Sequence, residues 1–199
     1  MSDVQAGAAL LRLLTWLSPA FPVGAFAYSH GLERAVHDGL IHDRQTLLDW
    51  LSALLASGSG WNDAVLFACA WRDAVDGGST SEIAELAEAM AGSRERHRET
   101  TLQGGAFTQA VRVWEGQAGA EEEAVAYPVA AGVAAARHGV PLADALTAYL
   151  HAFTANLVQA ALRLVPLGQR DGLAAMAALE PRILQTGALA SVAMVDDLG

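Results

Sequence analysis

The chain has 199 residues, 53% of them hydrophobic and only 17% charged, enough apolar material for one compact domain with a substantial core and too much for a disordered chain. Twelve basic against 22 acidic side chains leave a formal net charge of −10, and all twelve bases are arginine. The absence of lysine excludes a Walker A phosphate loop and a pyridoxal Schiff base, and the acidic balance excludes a cationic nucleic-acid surface.

Alanine and leucine dominate the apolar set and β-branched residues are sparse, which favours helices. The N-terminus, from Met1 to Gln5, lacks the basic region of a signal peptide. The first helix is predicted over Ala8–Leu17, with Leu10, Leu13, Leu14 and Leu17 on one stripe and an end before Ser18-Pro19. Pro19, Pro22 and Gly24 make the following stretch a packed, non-helical linker. A second helix is predicted from Tyr28-Ser29 to Val36, stopped by Asp38-Gly39. Asp43 reads as the N-cap of a third, whose buried face is Leu47, Leu48, Leu51, Leu54 and Leu55. Gly58-Ser-Gly60 ends it, and Trp61 to Val75 forms a fourth. Ser79 to Glu82 has the pattern of a capping box for a fifth, over Ser81–Ala91.

A longer helix is predicted from Ser93 to Trp114, then an exposed loop from Gly116 to Glu123. Tyr127-Pro128 opens an Ala-rich helix that stops at His138-Gly139, and Pro141 is placed as the first residue of the next. That helix carries Leu146, Tyr149, Leu150, Phe153, Leu157, Ala160, Ala161 and Leu164, and should be the core element. Two shorter helices, Asp171–Leu179 and Pro181–Ala190, complete an all-α, single-domain bundle of eight to ten helices over residues 1–199. The longest charge-free apolar stretch, Ala145–Leu162, holds Thr147, His151, Thr154, Asn156 and Gln159 and is too polar for a lipid-facing span. These features predict a soluble, cytoplasmic chain without membrane or nucleic-acid partners.

Few residues carry recognisable chemistry. Cys69 stands alone in an apolar run and reads as a buried small hydrophobe, with no disulfide and no cysteine metal cage. His30, Glu33 and His37 fit a His-Glu-His stripe on one helix, while surface or capping histidines are the plain alternative. His151 reads as a core histidine bonded to a neighbour, or as a haem ligand. The run Ser93 to Glu99 alternates in sign and is either a solvated helix face or a docking surface. Asn156 and Arg163, seven apart on the most apolar helix, share a face; a buried Arg163 would need a carboxylate such as Glu33 or Glu95, or a subunit interface.

Three segments together resemble the urease accessory protein UreF family. They are Leu17-Ser-Pro-Ala-Phe-Pro-Val-Gly-Ala-Phe-Ala-Tyr-Ser-His-Gly-Leu-Glu33, then Tyr127-Pro-Val-Ala-Ala-Gly132 with Gly139-Val-Pro-Leu142, and finally Tyr149 to Phe153, Asn156 to Val158 and Arg163-Leu-Val-Pro-Leu-Gly-Gln169. The resemblance is collinear from about Leu10 to Gly199; chains of that family usually continue into a tail that would begin where Val195–Gly199 stands. It implies a non-enzymatic homodimer that binds UreD (also called UreH), and with it recruits the nickel-carrying GTPase UreG to apo-urease. On that reading the chain holds no stably bound cofactor and no metal of its own, and nickel is handled by the complex. Pro19, Pro22, Val23, Gly24, Tyr28, Ser29, Gly31 and Glu33, with Tyr127 and Pro128, would shape one partner surface. Asn156, Arg163, Pro166, Gly168 and Gln169 would belong to a dimer or GTPase-facing surface. The alternatives are a haem-oxygenase-like helical enzyme using His30 or His151, and a GTPase-activating protein using Arg94 or Arg98.

Overall fold

Helical periodicity without strand alternation leads to a bundle. The computed structural model describes residues 3–24, 30–116 and 125–199, and among them places nine α-helices, two 3-10 turns and no strand. In order these are α1 (Asp3–Trp16), α2 (Leu32–His37), α3 (Arg44–Ser57), α4 (Ser59–Val75), α5 (Ser81–Ala89) and α6 (Arg94–Val111), with a 3-10 turn at Arg112–Glu115. They are followed by α7 (Tyr127–Arg137), α8 (Leu142–Leu164), α9 (Gln169–Ala190) and a closing turn at Val195–Asp197. The all-α expectation holds. The loop expected at Gly116–Glu123 lies, after Gly116, outside the described residues, as do Tyr28 and Ser29.

Local chemistry sets most ends. Asp43 accepts from the Thr46 N–H at 2.8 Å while the Thr46 hydroxyl accepts from the Asp43 N–H at 3.1 Å, a reciprocal cap that starts α3 where the sequence placed it. Ser93 caps α6 through the Arg96 N–H, and Gly139, at φ 66°, stops α7 just past His138. α4 starts at Ser59 on Gly58, which has no side chain to cap it.

The core is built on α4 and α8. Ala64, Val65, Phe67 and Ala68 of α4 face Leu146, Leu150, Leu157 and Ala161 of α8, all nearly inaccessible to solvent. Gly132 lets α7 lie against α4 so closely that an added Cβ would come within 2.5 Å of the Phe67 carbonyl oxygen. α8 and α9 form an antiparallel hairpin, with Leu162 against Gly172 and Leu150 against Gly187. An edge-and-tilt chain of rings crosses the core, from Phe67 to Tyr149 (5.2 Å), Tyr127 (5.6 Å), Phe107 (5.5 Å) and Trp16 (6.2 Å).

Several boundaries differ from expectation. α9 is continuous through Pro181, because that proline and Ala177, whose carbonyl loses its partner there, are both exposed and water can take the freed bond. α2 starts at Leu32, since His30 (φ 47°) and Gly31 (φ 79°) are left-handed. α5 forms without the expected capping box: the Ser79 hydroxyl is taken by the Ser81 N–H, and Thr80 makes no side-chain cap bond. α6 tightens into a 3-10 turn after Val111, and Pro141 is the N-cap of α8 rather than its first residue. On α1 the buried face is Ala9, Leu13 and Trp16, while Leu10 and Leu14 stay exposed, because the leucine stripe is wider than the contact.

Candidate functional site

Beside the ring chain lies a polar cluster that no single stretch of sequence announces. Arg96, one turn into α6, sends Nη2 to both carboxylate oxygens of Asp63 on α4 at 2.9 Å and Nη1 to Glu99 Oε1 at 3.2 Å. The two acids are largely buried, with 11% and 7% of their side-chain surface exposed, and the arginine retains 23%. A guanidinium suits this place because its planar set of donors serves two carboxylates at once, Nη2 on Asp63 and Nη1 on Glu99. The Tyr149 hydroxyl reaches Asp63 Oδ2 at 3.4 Å, and Gln103 Nε2 lies 3.5 Å from Glu99 Oε1. His30 completes the cluster: Nδ1 meets Ser59 Oγ at 3.1 Å, Nε2 stands 3.7 Å from Glu99, and the ring packs edge-on against Phe153 at 4.8 Å.

Burial shapes the electrostatics. It pushes the His30 pKa down to about 4, helped by the Arg96 charge. It also raises the Glu99 carboxyl above the ordinary range against the pull of Arg96. Burial works against the Arg96 charge too, but Asp63 and Glu99 outweigh it and the guanidinium is held more firmly protonated than usual. Tyr127 and Tyr149 are raised by burial and by Asp63, so both hydroxyls keep their protons.

A cavity of about 780 Å3 opens onto this cluster, walled by His30, Gly31, Glu33, Asn62, Arg96 and Pro128 among others. Beneath it, a more enclosed pocket of about 40 Å3 is lined by His30, Asp63, Glu99, Tyr127, Tyr149 and Asn156, room enough for an ordered water.

The residues expected to form a site therefore fall into separate places. Gly31, Glu33, Tyr127, Pro128 and Asn156, from three distant motifs, converge on these two cavities. Pro19, Pro22, Val23 and Gly24 do not line them: Val23 enters the core, Pro19 lines a groove between α1 and α8, and Pro22 and Gly24 are exposed. Arg163, Pro166, Gly168 and Gln169 cluster around the α8–α9 turn, all exposed. The buried Arg163 considered from sequence is thus corrected: α8 at that point has passed beyond the elements that cover Asn156. His151, expected in the core, is exposed.

The His-Glu-His stripe does not form, because His30 sits outside α2 with its ring turned inward while Glu33 and His37 face solvent. Among the described residues no three His, Cys, Asp or Glu side chains are arranged to hold a metal ion, and no helix is long and apolar enough to cross a membrane. Ser59, Asp63, Arg96, Glu99 and Gln103 are the residues that sequence reading missed. Their signal was present in α6, where Arg96, Glu99, Thr100, Gln103, Phe107 and Val111 repeat at helical spacing. Of the three arginines in the charged run, Arg96 is engaged internally, while Arg94 and Arg98 are exposed.

Comparison with known proteins agrees with this fold and these motifs. The UreF family profile matches residues 41–180, more than half of the chain. Urease accessory protein UreF 1 of Brucella canis is 59% identical over 192 residues, covering 96% of this chain and 84% of its own length. UreF of Brucella ovis is 58% identical over the same extent. UreF of Mesorhizobium japonicum is 54% identical over 200 residues, covering all of this chain and 90% of its own. With relatives sharing more than half of their aligned residues along nearly the whole length, this chain belongs to the UreF family.

Proposed function

We propose that the chain serves urease maturation as a non-catalytic accessory protein, a cytoplasmic homodimer that engages UreD (UreH), the GTPase UreG and apo-urease. Nickel is the cargo of that complex and not a resident cofactor of this chain. The observation that carries the reading is the 54–59% identity, over nearly the full length, to proteins named urease accessory protein UreF. The geometry supports a protein that works by presenting faces. Asp63, Arg96 and Glu99 satisfy one another internally, and the Ser59 hydroxyl beside them meets an imidazole, His30, that burial holds near a pKa of about 4, a poor general base at neutral pH. The haem-binding alternative has less support, because the His30 ring is already engaged by Ser59 and Phe153 and His151 stands exposed.

The test is complementation of cells that express urease and its other accessory proteins but lack their own UreF. Supplying this chain should restore urease activity and nickel content, and UreD and UreG should co-purify with it. Urease left without nickel, together with failure to retain either protein, would overturn the reading. A rise in the UreG hydrolysis rate that disappears in Arg94→Ala or Arg98→Ala would add GTPase activation to the role.

A further inference from the structure

One turn of α4 holds three other segments of the chain. The Ser59 hydroxyl meets His30 Nδ1 at 3.1 Å, and both Asp63 carboxylate oxygens accept from Arg96 Nη2 at 2.9 Å. Between them, Trp61 Nε1 donates to the Asp197 carbonyl at 2.8 Å, and the Asn62 amide donates to the Gly199 carbonyl at 2.7 Å while accepting from its N–H at 3.2 Å. Further along the helix, Arg72 donates to the carbonyls of Ser191, at 2.8 Å, and Ala193.

Two features set this region apart from the rest of the bundle. Apart from the Met194 sulfur beside Arg72, every one of these polar contacts to residues 191–199 is made to main-chain atoms. Within 194–199 only Val195 and Leu198 are half-buried, both packed against the main core and Leu198 also against the smaller cluster around Leu66, so two side chains supply the segment's apolar anchorage. A segment held mainly by a few exposed main-chain bonds opens without unfolding the core. The turn that holds it begins on Gly58 with no side-chain cap and packs through Gly60 against Phe153 and Leu55. With no side-chain cap at its N-terminus, the contacts of Ser59, Trp61, Asn62 and Asp63 add to that packing in fixing where the turn sits.

We propose that residues 194–199 form a releasable strap, and that its seating on Trp61 and Asn62 sets the position of the Ser59–Asp63 turn and, through it, of the His30–Glu99–Arg96 cluster at the cavity. Seated, the strap passes beside the mouth: Gly199 lies near the Ser57 carbonyl, next to Gly58, Ser59 and Asn62 of the cavity wall. Release frees the Asn62 amide and loosens the turn that Ser59 and Asp63 share with the cluster. The inference concerns this chain alone and does not depend on any partner in the proposed function.

Amide hydrogen exchange on the full chain tests it. Trp61→Phe removes the indole N–H and keeps an aromatic, if smaller, side chain, and Asn62→Asp keeps an acceptor and removes the donor. In each, exchange over residues 194–199 should rise about tenfold, the loss of one such bond. Peptides over 30–35 and 96–103 should rise with it, while α8 stays protected. Coupling is reciprocal, so Asp63→Asn should in turn accelerate exchange in 194–199. Faster strap exchange with the 30–35 and 96–103 peptides unmoved would overturn the proposal, as would a strap that Asp63→Asn leaves untouched or one unprotected in the unaltered chain.

Discussion

Arg96 sits between two carboxylates with less than a quarter of its side chain exposed, and its value to the fold depends on keeping both partners. Asp63→Asn preserves shape but leaves a half-buried guanidinium short of a counter-charge; the expected loss is about 2–3 kcal/mol, discounted for partial exposure, by urea denaturation. Pairing it with Arg96→Met should cost less than the sum of the two single changes, because the second removes the charge that the first strands. His30 gives the cluster a pH dependence. Its folded pKa of about 4 lies below the ordinary 6.5, so between these values the unfolded chain takes a proton that the folded one refuses. Its contribution is fully present above pH 6.5 and is lost as the pH falls towards 4. Glu99 acts with the opposite sign: its raised pKa makes its contribution complete in acid and diminishing as the pH rises past the ordinary carboxyl range. Between pH 7 and pH 5, His30→Gln should therefore lose on the order of 2 kcal/mol less stability than the unaltered chain.

At the scale of helices, the contacts that decide the packing are those where a backbone must come close. Gly132 of α7 meets the Phe67 carbonyl of α4, and neither helix can yield without moving its neighbours. Gly132→Ala should cost on the order of 3 kcal/mol. Gly172→Ala on α9 meets only the tip of the Leu162 side chain, at 2.9 Å, which can rotate away; a loss below about 1 kcal/mol is expected. Thermal unfolding of the two variants separates them, and equal losses would show that the Phe67–Gly132 crossing is not the tighter one. Helix ends followed the sequence where a side chain supplied the cap, as at Asp43 and Ser93, or where a left-handed glycine stopped the helix, as at Gly139. They departed from it where the outcome depended on exposure. Pro181 breaks a pattern in sequence but not a helix in space, since its unpaired neighbour faces water.

Across the whole molecule, the two groups of family-motif residues occupy different places: Gly31, Glu33, Tyr127, Pro128 and Asn156 at the cavities, Arg163 to Gln169 at the α8–α9 turn. Arg163 is exposed and has no carboxylate partner among the described residues, so its removal should leave the fold intact. If the chain acts as proposed, Arg163→Ala should weaken self-association or UreG recruitment several-fold with helicity by circular dichroism unchanged; lost helicity with unchanged association would make it a structural residue instead. The sequence by itself determined the all-helical class, the central place of α8, the exclusion of lysine-dependent chemistry and, through motifs spread along the chain, the family. Those features are local or compositional, carried by periodicity, caps and residue type. Only the tertiary structure decided that Asp63, Arg96, Glu99 and His30 meet. Asp63 and Arg96 are 33 residues apart on different helices, and a 3.6-residue period reports that a face is buried without reporting what covers it. The same limit left Arg163 open, from sequence, between burial against a carboxylate and a subunit interface; in the fold it is exposed, because a helix face keeps its character only as far as its neighbours extend.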